Sequence, residues 1–308
     1  MKKVFIDGSA GTTGLRIYER LGARSDIELI TLSEHLRKDI TARKEAINSS
    51  DITFLCLPDS AAREAVALVE NGDTVIIDTS TAHRTEPQFA YGFPELGADF
   101  YGKIRESKRI AVPGCHASGF IALVYPLVKS GVISPESLLT CTSITGFSGG
   151  GKQMIADYRA EDRSELLDSP RQYGITQSHK HLKEMTAVTG IKNPPAFIPI
   201  VADFYSGMEV TVPLFASQIN CTSENIKQIY KSTYTGPVVR FIESVDENGF
   251  VASNALSGKD SMQITVAGND ERILLIARYD NLGKGASGAA VECFNIVSGS
   301  DITEGLVL

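Results

Sequence analysis

The first half of the chain alternates short apolar strands with amphipathic helices, and this alternation constrains the fold more than any other sequence feature. Strands are predicted at residues 4–6, 28–32, 52–57, 74–77 and 109–112, and helices at about residues 13–21, 43–48 and 60–70. Strands joined by helices favour right-handed crossovers and a parallel, doubly wound sheet. Ligands of such sheets bind at the carboxyl ends of the strands, so functional residues are expected there.

The second half has a different pattern. Further strands are predicted near residues 140–145, 197–201, 209–216, 238–241, 262–267 and 273–279, without long helices between them. This order indicates an α+β domain with a mixed or antiparallel sheet and helices on one face. The prediction is a Rossmann-like α/β domain of residues 1–116 plus about 286–308, and an α+β domain of residues 117–285 that would bind substrate and dimerise.

The composition excludes several classes of protein. The 308 residues are 43% hydrophobic and 22% charged, which is typical of a protein with substantial cores. A net charge of −7 argues against a nucleic-acid surface. Five scattered cysteines without a C-x-x-C pair indicate reduced thiols rather than disulfides or a metal cluster. No signal peptide or membrane span is recognised, so we expect a cytoplasmic protein that binds neither membrane nor nucleic acid.

A glycine-rich turn, Gly8-Ser9-Ala10-Gly11-Thr12-Thr13-Gly14, follows the first predicted strand and opens into the first helix. Glycines at such a place permit a tight turn and the close approach of a pyrophosphate, whose charge is balanced by the helix N-terminus. The spacing is G-x-x-G-x-x-G instead of the dinucleotide pattern G-x-G-x-x-G, so a plain glycine turn is the alternative. The candidate cofactor-binding residues of the turn are Gly8, Ser9, Gly11, Thr12, Thr13 and Gly14.

The end of the second predicted strand bears on which dinucleotide would bind. An NAD site usually offers an acidic residue to the ribose 2′-hydroxyl about 20 residues after the glycines. Here the strand ends at Ser33, with Arg37 and Lys38 close behind. A hydroxyl and two cations suit a 2′-phosphate, which favours NADP, with Ser33 and Arg37 as its contacts. Glu34 lies beside them, and a solvated charge cluster is the alternative.

Pro113-Gly114-Cys115-His116 places one thiol where a turn enters an amphipathic helix. Unpaired N–H groups and the positive end of the helix dipole favour the thiolate there, and the thiolate is the nucleophilic form. A small buried hydrophobic residue is the alternative, because most free cysteines are of that kind. Cys115 is therefore the candidate nucleophile.

The only dense histidine segment is residues 178–184, which contains His179 and His181. A thiol nucleophile needs an acid or base nearby, and imidazole suits that role at neutral pH. Metal binding is disfavoured because no companion ligands are evident, and exposed, idle histidines are the other alternative. His116 is a less favoured base because adjacent residues on a turn usually point apart.

Residues 78–84 follow the fourth predicted strand and combine a carboxylate, three hydroxyls, a histidine and an arginine. Arg84 could hold a phosphate or a carboxylate by paired hydrogen bonds. A surface arginine is the alternative. The fifth predicted strand delivers Cys115 to the same edge of the sheet.

Together with the glycine turn, five further segments resemble the compact subtype of the N-acetyl-gamma-glutamyl-phosphate reductases, within the semialdehyde dehydrogenase superfamily. They are Asp78-x-Ser80-x-x-x-Arg84, Tyr91-Gly92-Phe93-Pro94-Glu95-Leu96, Pro113-Gly114-Cys115, His179-x-His181-x-x-Glu184 and Asp280-Asn281-Leu282-x-Lys284-Gly285-Ala286-x-Gly288. They occur in order and extend nearly from end to end of the chain. The second and the last are the most specific.

The resemblance implies an NADP-dependent enzyme of arginine biosynthesis that reductively dephosphorylates N-acetyl-L-glutamyl 5-phosphate to the 5-semialdehyde. The roles that it implies for single residues are Cys115 as nucleophile, His179 as general acid/base, Glu184 as the residue that orients a histidine, Asn281 and Lys284 at the nicotinamide, and Ser80, Arg84 and His181 as substrate contacts. Independently of the resemblance, we expect a homo-oligomer, dimer or tetramer, because a sheet-rich second domain often dimerises, and we expect no metal.

Three other functions remain open from the sequence. Another acyl-phosphate reductase of the superfamily, such as an aspartate-semialdehyde dehydrogenase or an aminoadipate-type relative, would differ in the acyl phosphate that it accepts. A cysteine hydrolase would use Cys115 and His179 without a nucleotide. A non-catalytic NADP-binding sensor would bind cofactor and keep its role when the thiol is replaced.

Overall fold

The computed structural model describes residues 1–308, and the chain divides into two compact units. The first unit comprises residues 1–114 and 286–306. The second comprises residues 115–285 and 307–308. No helix is both long enough and apolar enough to cross a membrane.

The first unit contains six strands and five helices. The strands are β1 (Lys2–Asp7), β2 (Ile27–Ile30), β3 (Ile52–Leu55), β4 (Val75–Asp78), β5 (Ala90–Tyr91) and β6 (Arg109–Ala111). The helices are α1 (Thr12–Gly22), α2 (Ile40–Ser49), α3 (Asp59–Ala67), α4 (Ala98–Glu106) and, from the end of the chain, α9 (Gly288–Ser298). All strand pairs are parallel, in the order β2-β1-β3-β4-β6-β5.

Apolar side chains cover both faces of this sheet. On one face α1 and α9 pack on the strands, and the rings of Phe54 and Phe294 lie 6.0 Å apart. On the other face Ile47 of α2 and Ala62 of α3 bury the opposite side chains. Helices on both faces of a parallel sheet confirm the predicted fold class of this half.

The sequence pattern missed α4 and the short edge strand β5. The helix α4 buries only Ile104 and carries Gly102 in its interior, so it has no apolar stripe to recognise. Tertiary packing stabilises it, since α4 lies against α9. Strand β5 is only two residues long, below the length at which alternation can be read.

The second unit contains seven strands and four helices. The strands are β7 (Thr140–Gly146), β8 (Arg171–Gln172), β9 (Ala196–Ala202), β10 (Met208–Phe215), β11 (Val239–Phe241), β12 (Met262–Gly268) and β13 (Arg272–Tyr279). The helices are α5 (Cys115–Lys129), α6 (Gly151–Arg159), α7 (His181–Thr189) and α8 (Ser223–Thr233). The sheet order is β11-β12-β13-β10-β7-β9-β8. Only β7–β9 and β11–β12 pair in parallel, which confirms the predicted mixed sheet.

The helix α5 is the apolar centre of the second unit. It packs against β10, β13 and α7, and its residues from His116 to Val124 are all buried. Gly119 makes the close approach to the sheet possible, because a Cβ at this position would lie 2.6 Å from Cγ2 of Val210 and 2.7 Å from the hydroxyl oxygen of Tyr279. The absence of a side chain at residue 119 therefore sets the distance between α5 and two central strands.

Gly119→Ala is expected to lower the free energy of unfolding by about 1–3 kcal/mol, because the added methyl group overpacks this contact. Urea unfolding followed by circular dichroism measures it. The matched control is Gly102→Ala in α4, where no atom lies within 4 Å of the new Cβ. The control is expected to be neutral or stabilising by up to about 1 kcal/mol. Equal stability of the two variants would contradict the packing argument.

Candidate active site

Cys115 is the first residue of α5, and the hydroxyl of Tyr279 fixes the turn that carries it. This hydroxyl donates to the carbonyl oxygen of Cys115 at 2.5 Å and accepts from the N–H of Gly119 at 3.0 Å. In a regular α-helix these two backbone groups, four residues apart, bond to each other. The inserted hydroxyl therefore ties the backbone of the thiol to β13, while the side chain of Cys115 remains partly exposed.

His116 lies buried between two hydroxyl groups. Its Nδ1 is 2.7 Å from Oγ of Ser143 on β7, and its Nε2 is 2.5 Å from the hydroxyl oxygen of Tyr173. Burial, reinforced by the charge of His179, lowers the pKa of His116 from 6.5 to about 3. A ring that is neutral and occupied at both nitrogens is not a general base at neutral pH.

His179 and His181 lie beside His116 in one cluster of rings. The centroid of the His116 ring lies 5.8 Å from that of His179 and 5.6 Å from that of His181. The rings of His179 and His181 are 4.7 Å apart. Burial first, and the charge of Lys180 second, lower the pKa of His179. Nδ1 of His179 accepts from the backbone N–H of His181 at 3.2 Å.

His181 and Glu184 share one face of α7, because residues three apart on a helix are neighbours. His181 is the first residue of α7, and both side chains are buried, with 5% and 2% of their surface exposed. The candidate substrate contact His181 and the candidate orienting carboxylate of Glu184 thus belong to the same short helix, whereas the candidate acid/base His179 lies two residues before it.

Sequence reasoning missed Tyr173. It lies in a stretch of mostly polar residues directly after β8, where no period or motif singles it out. Burial, and then the proximity of Cys115, raise the pKa of the Tyr173 hydroxyl. Only the fold, by bringing residue 173 to the first turn of α5, reveals this group.

In the first unit the glycine turn has the backbone that a dinucleotide site needs. Gly8 has φ of +89°, and a Cβ there would collide with the carbonyl oxygen of Cys56. A cavity of about 580 Å³ opens beside the turn and is lined by Gly8 and Ser9 among others. Gly11 precedes α1, whose first N–H groups point towards the turn. The turn therefore fits a pyrophosphate.

Arg37 and Lys38 line the same cavity, at the end opened by β2. Ser33 does not line it, and its hydroxyl is exposed, 3.4 Å from Nε2 of His35. Of the two residues predicted to contact a 2′-phosphate, the structure brings Arg37 to the cavity wall, whereas Ser33 lies outside.

Ser80 and Arg84 each form hydrogen bonds with other residues of the first unit. The hydroxyl of Ser80 donates to Asp78 at 2.7 Å and accepts from the N–H of Ala82 at 3.1 Å. Arg84 donates to the carbonyl oxygens of Val112 and Thr79 at 2.9 and 3.0 Å. Both residues thus brace the ends of β4 and β6, and their roles as substrate contacts stay predictions.

Asn281 and Lys284 are buried in the segment after β13. Oδ1 of Asn281 accepts from the N–H of Gly207 at 2.9 Å, and its Nδ2 donates to Ser148 at 3.0 Å. Lys284 is 2% exposed. In this structure Asn281 joins two loops of the second unit, and the predicted contacts of both residues with a nicotinamide stay predictions.

Two domain families match the chain. Residues 3–103 match the semialdehyde dehydrogenase NAD binding domain, and residues 115–281 match the semialdehyde dehydrogenase dimerisation domain. Between them the two matches cover most of the chain, one falling in each unit.

Curated relatives match nearly the whole chain. N-acetyl-gamma-glutamyl-phosphate reductase 2 of Nostoc sp. is 42% identical over 96% of this chain and 97% of its own length. N-acetyl-gamma-glutamyl-phosphate reductase of Sinorhizobium medicae is 40% identical over 96% of this chain and 98% of its own. Identity at this level over the full length shows shared ancestry and a shared fold.

Solved structures of more distant proteins share the fold. Aspartate semialdehyde dehydrogenase II of Vibrio cholerae aligns with a TM-score of 0.72 at 15% identity, over 97% of this chain and 99% of that one. Aspartate semialdehyde dehydrogenase of Candida albicans, solved with NADP, aligns with a TM-score of 0.69 at 15% identity, over 98% of this chain and 99% of that one. At this identity the likeness concerns the fold alone.

The burial of a neutral His116 predicts how stability depends on pH. The unfolded chain takes up a proton at His116 below about pH 6.5, whereas the native chain does so only near the lowered value, so the free energy of unfolding falls as the pH falls. His116→Gln is expected to remove about 2 kcal/mol of the loss between pH 7 and pH 5. Urea titrations at several pH values measure it, and an unchanged slope would contradict a neutral buried ring.

Proposed function

The chain belongs to the N-acetyl-gamma-glutamyl-phosphate reductase family of the semialdehyde dehydrogenases, and we propose that it reduces N-acetyl-L-glutamyl 5-phosphate to N-acetyl-L-glutamate 5-semialdehyde with NADPH, in arginine biosynthesis. The observation that carries the proposal is the placement of Cys115. Its backbone is held at a helix N-terminus, its side chain is partly exposed, and the residue that follows it, His116, packs against His179.

The first half of the reaction is acyl transfer to sulfur. The thiolate of Cys115 attacks the carbonyl carbon of the acyl phosphate, forming a C–S bond and a tetrahedral oxyanion. The oxyanion collapses with cleavage of the C–O bond to phosphate, which leaves as inorganic phosphate, and a thioester remains. Backbone N–H groups of the first turn of α5 are donors for the oxyanion, each typically worth a few kcal/mol. The thioester divides one difficult displacement into two easier steps.

The second half returns the sulfur to its starting state. A nicotinamide, which we propose Asn281 and Lys284 would hold, would supply a hydride to the thioester carbon, and the product of that addition is the oxyanion of a thiohemiacetal. As the oxyanion re-forms the C=O bond and the C–S bond breaks, His179 acts as general acid and gives the sulfur the proton that it took when the thiolate formed, and the aldehyde leaves. Burial lowers the pKa of His179, so the ring is neutral at pH 7 and is able to accept the proton of the thiol as a base. We propose that His181, whose ring lies 4.7 Å from that of His179, and Glu184 on α7 help to orient this ring.

The family and the glycine turn provide for a nicotinamide dinucleotide, and we propose NADP as the form used. Gly8, Gly11, Thr12, Thr13 and Gly14 would hold the pyrophosphate at the N-terminus of α1. The cations Arg37 and Lys38 at the cavity wall support a 2′-phosphate, because both offer it positive charge and the one carboxylate of the lining, Asp7, is paired with Arg43. The predicted domain of residues 1–116 with 286–308 is accordingly proposed to bind cofactor.

We propose that the predicted domain of residues 117–285 binds the substrate and also pairs with a second copy. Alternate residues of β7 and β9 face away from α5, and there Ile144, Ile198 and Ile200 are only half-buried. Leu274 on β13 and Phe215 on β10 are 37% and 58% exposed. An apolar sheet face of this kind is suited to a homo-oligomer interface.

Cys115→Ala is expected to abolish the oxidation of N-acetylglutamate semialdehyde by NADP and phosphate, because no thioester can form. NADPH binding should stay within a few-fold of the unsubstituted chain. The assay follows absorbance of NADPH, and its fluorescence titration gives the affinity. Cys221→Ala, at the other half-exposed cysteine of the second unit, is the matched control and should keep full activity. Comparable turnover in Cys115→Ala would falsify the covalent route.

Arg37→Ala is expected to raise KM for NADP by about 10-fold or more while changing KM for NAD less than about two-fold, since it removes a charge-assisted hydrogen bond to the 2′-phosphate only. Lys103→Ala, on the exposed side of α4 and outside the cavity, is the control. If Arg37→Ala weakens NAD and NADP equally, Arg37 does not read the 2′-phosphate.

The rival acyl-phosphate reductases are separated by substrate. The assay is run with N-acetylglutamate semialdehyde beside aspartate semialdehyde, each with phosphate and with NADP or NAD. The proposal expects the highest kcat/KM for N-acetylglutamate semialdehyde with NADP. A preference for aspartate semialdehyde would assign the chain a different substrate with the same chemistry.

A further inference from the structure

We propose that Tyr173 donates a hydrogen bond to the ionised sulfur of Cys115 during turnover, and that His116, anchored by Ser143, is the positioning residue that aims this hydroxyl. The inference rests on the thiol chemistry of the proposed function. It makes Tyr173, which lies outside every motif of the sequence, a catalytic residue. It makes His116, which is not itself an acid or base, a positioning residue.

The geometry begins with the place of His116. It follows Cys115 directly in the first turn of α5, so any group bonded to its ring is held to that turn. Nε2 lies 2.5 Å from the hydroxyl oxygen of Tyr173, and Nδ1 lies 2.7 Å from Oγ of Ser143. The ring is also packed edge-on against Phe197, at 5.4 Å and 79°. Two hydrogen bonds and one ring contact leave the imidazole a single orientation.

The hydroxyl of Tyr173 reaches the first turn of α5 through His116, the residue that follows Cys115. Burial is the main reason that the pKa of its hydroxyl is raised, and the negative charge of an ionised Cys115 raises it further. The phenol therefore stays protonated when the thiol ionises, and it keeps a proton to donate. Its ring also lies 6.0 Å from that of His179, on the edge of the histidine cluster.

The donor count decides the direction of the hydrogen bonds. A neutral imidazole has one N–H and one lone pair, and it stands here between two hydroxyls. If Tyr173 donates to His116, the phenol oxygen has only lone pairs to turn towards Cys115. If Ser143 donates to Nδ1 and Nε2–H donates to Tyr173, the phenol proton is free. An anionic sulfur favours the second arrangement, because it then meets a donor instead of lone pairs.

Other ionisable groups lie around Tyr279 and the histidine cluster. They come from each element packed around the turn: Tyr279 of β13, His179 and Lys180 before α7, His181 and Glu184 of α7, Cys141 of β7 and Glu209 of β10. None of them is changed in the test variants. A shift that appears on removing the hydroxyl of Tyr173 is therefore assigned to that hydroxyl.

The test compares Tyr173→Phe, His116→Phe, Ser143→Ala, His116→Gln and the double variant Tyr173→Phe/His116→Phe. Steady-state kinetics give kcat and KM. Alkylation of Cys115 by iodoacetamide, measured against pH by peptide mass spectrometry, gives the ionisation of the thiol without any substrate. Peptide resolution separates Cys115 from the other cysteines. The midpoints of urea unfolding show whether each variant folds. If His116→Phe does not fold, Ser143→Ala is used in its place, because it removes only the hydrogen bond at Nδ1 of His116.

Tyr173→Phe is expected to lower kcat by about 10²-fold with KM for NADP within about two-fold, and to move alkylation of Cys115 to higher pH. His116→Phe should act in the same direction, and the double variant should be no worse than Tyr173→Phe, because His116 acts through the phenol. His116→Gln, whose amide offers one donor and one acceptor, should recover most of what His116→Phe loses.

An unshifted alkylation profile in Tyr173→Phe, or additive losses in the double variant, overturns the inference. Activity in Cys115→Ala overturns the thioester route instead. The two failures are distinguishable because the alkylation profile reports on the sulfur and its hydrogen bond whatever reaction the enzyme catalyses.

Discussion

The hydroxyl of Tyr279 stands where the first turn of α5 would otherwise close on itself, and the arrangement of the second unit depends on that insertion. It fixes the carbonyl of Cys115 and the N–H of Gly119 to a central strand of the mixed sheet. The missing side chain of Gly119 leaves room for the phenol. The thiol is thus carried by a helix whose residues from His116 to Val124 are buried, although its own side chain is partly exposed.

The imidazole groups around that turn differ in how deeply they are buried, and their pKa values differ accordingly. His116 is so enclosed that it stays neutral and bonded to two hydroxyls, which makes it an anchor. His179 is less enclosed, and burial together with the charge of Lys180 lowers its pKa. Desolvation disfavours charge in proportion to enclosure, so similar side chains a few ångströms apart acquire different roles.

In the first unit, backbone shape and side-chain charge contribute separately to the cavity that we propose for the dinucleotide. The glycine turn is shaped by steric limits at Gly8, whereas Arg37 lines the cavity with an exposed, charged side chain. Ser80 and Arg84 resemble ligand contacts in the sequence because they are polar and follow a strand. In the fold they satisfy buried backbone and carboxylate groups, which unpaired would cost free energy.

The sequence alone determined the parallel and mixed sheets, the glycine turn, and Cys115 at the start of a helix, because strand and helix periodicity and turn residues are local properties. It did not reveal α4, whose single buried residue leaves no periodic signal, or Tyr173, which becomes significant only where the chain brings it to His116. Hydrogen bonds between residues 57 positions apart, and the burial that sets a pKa, exist only once the whole unit has packed, so tertiary structure decided them.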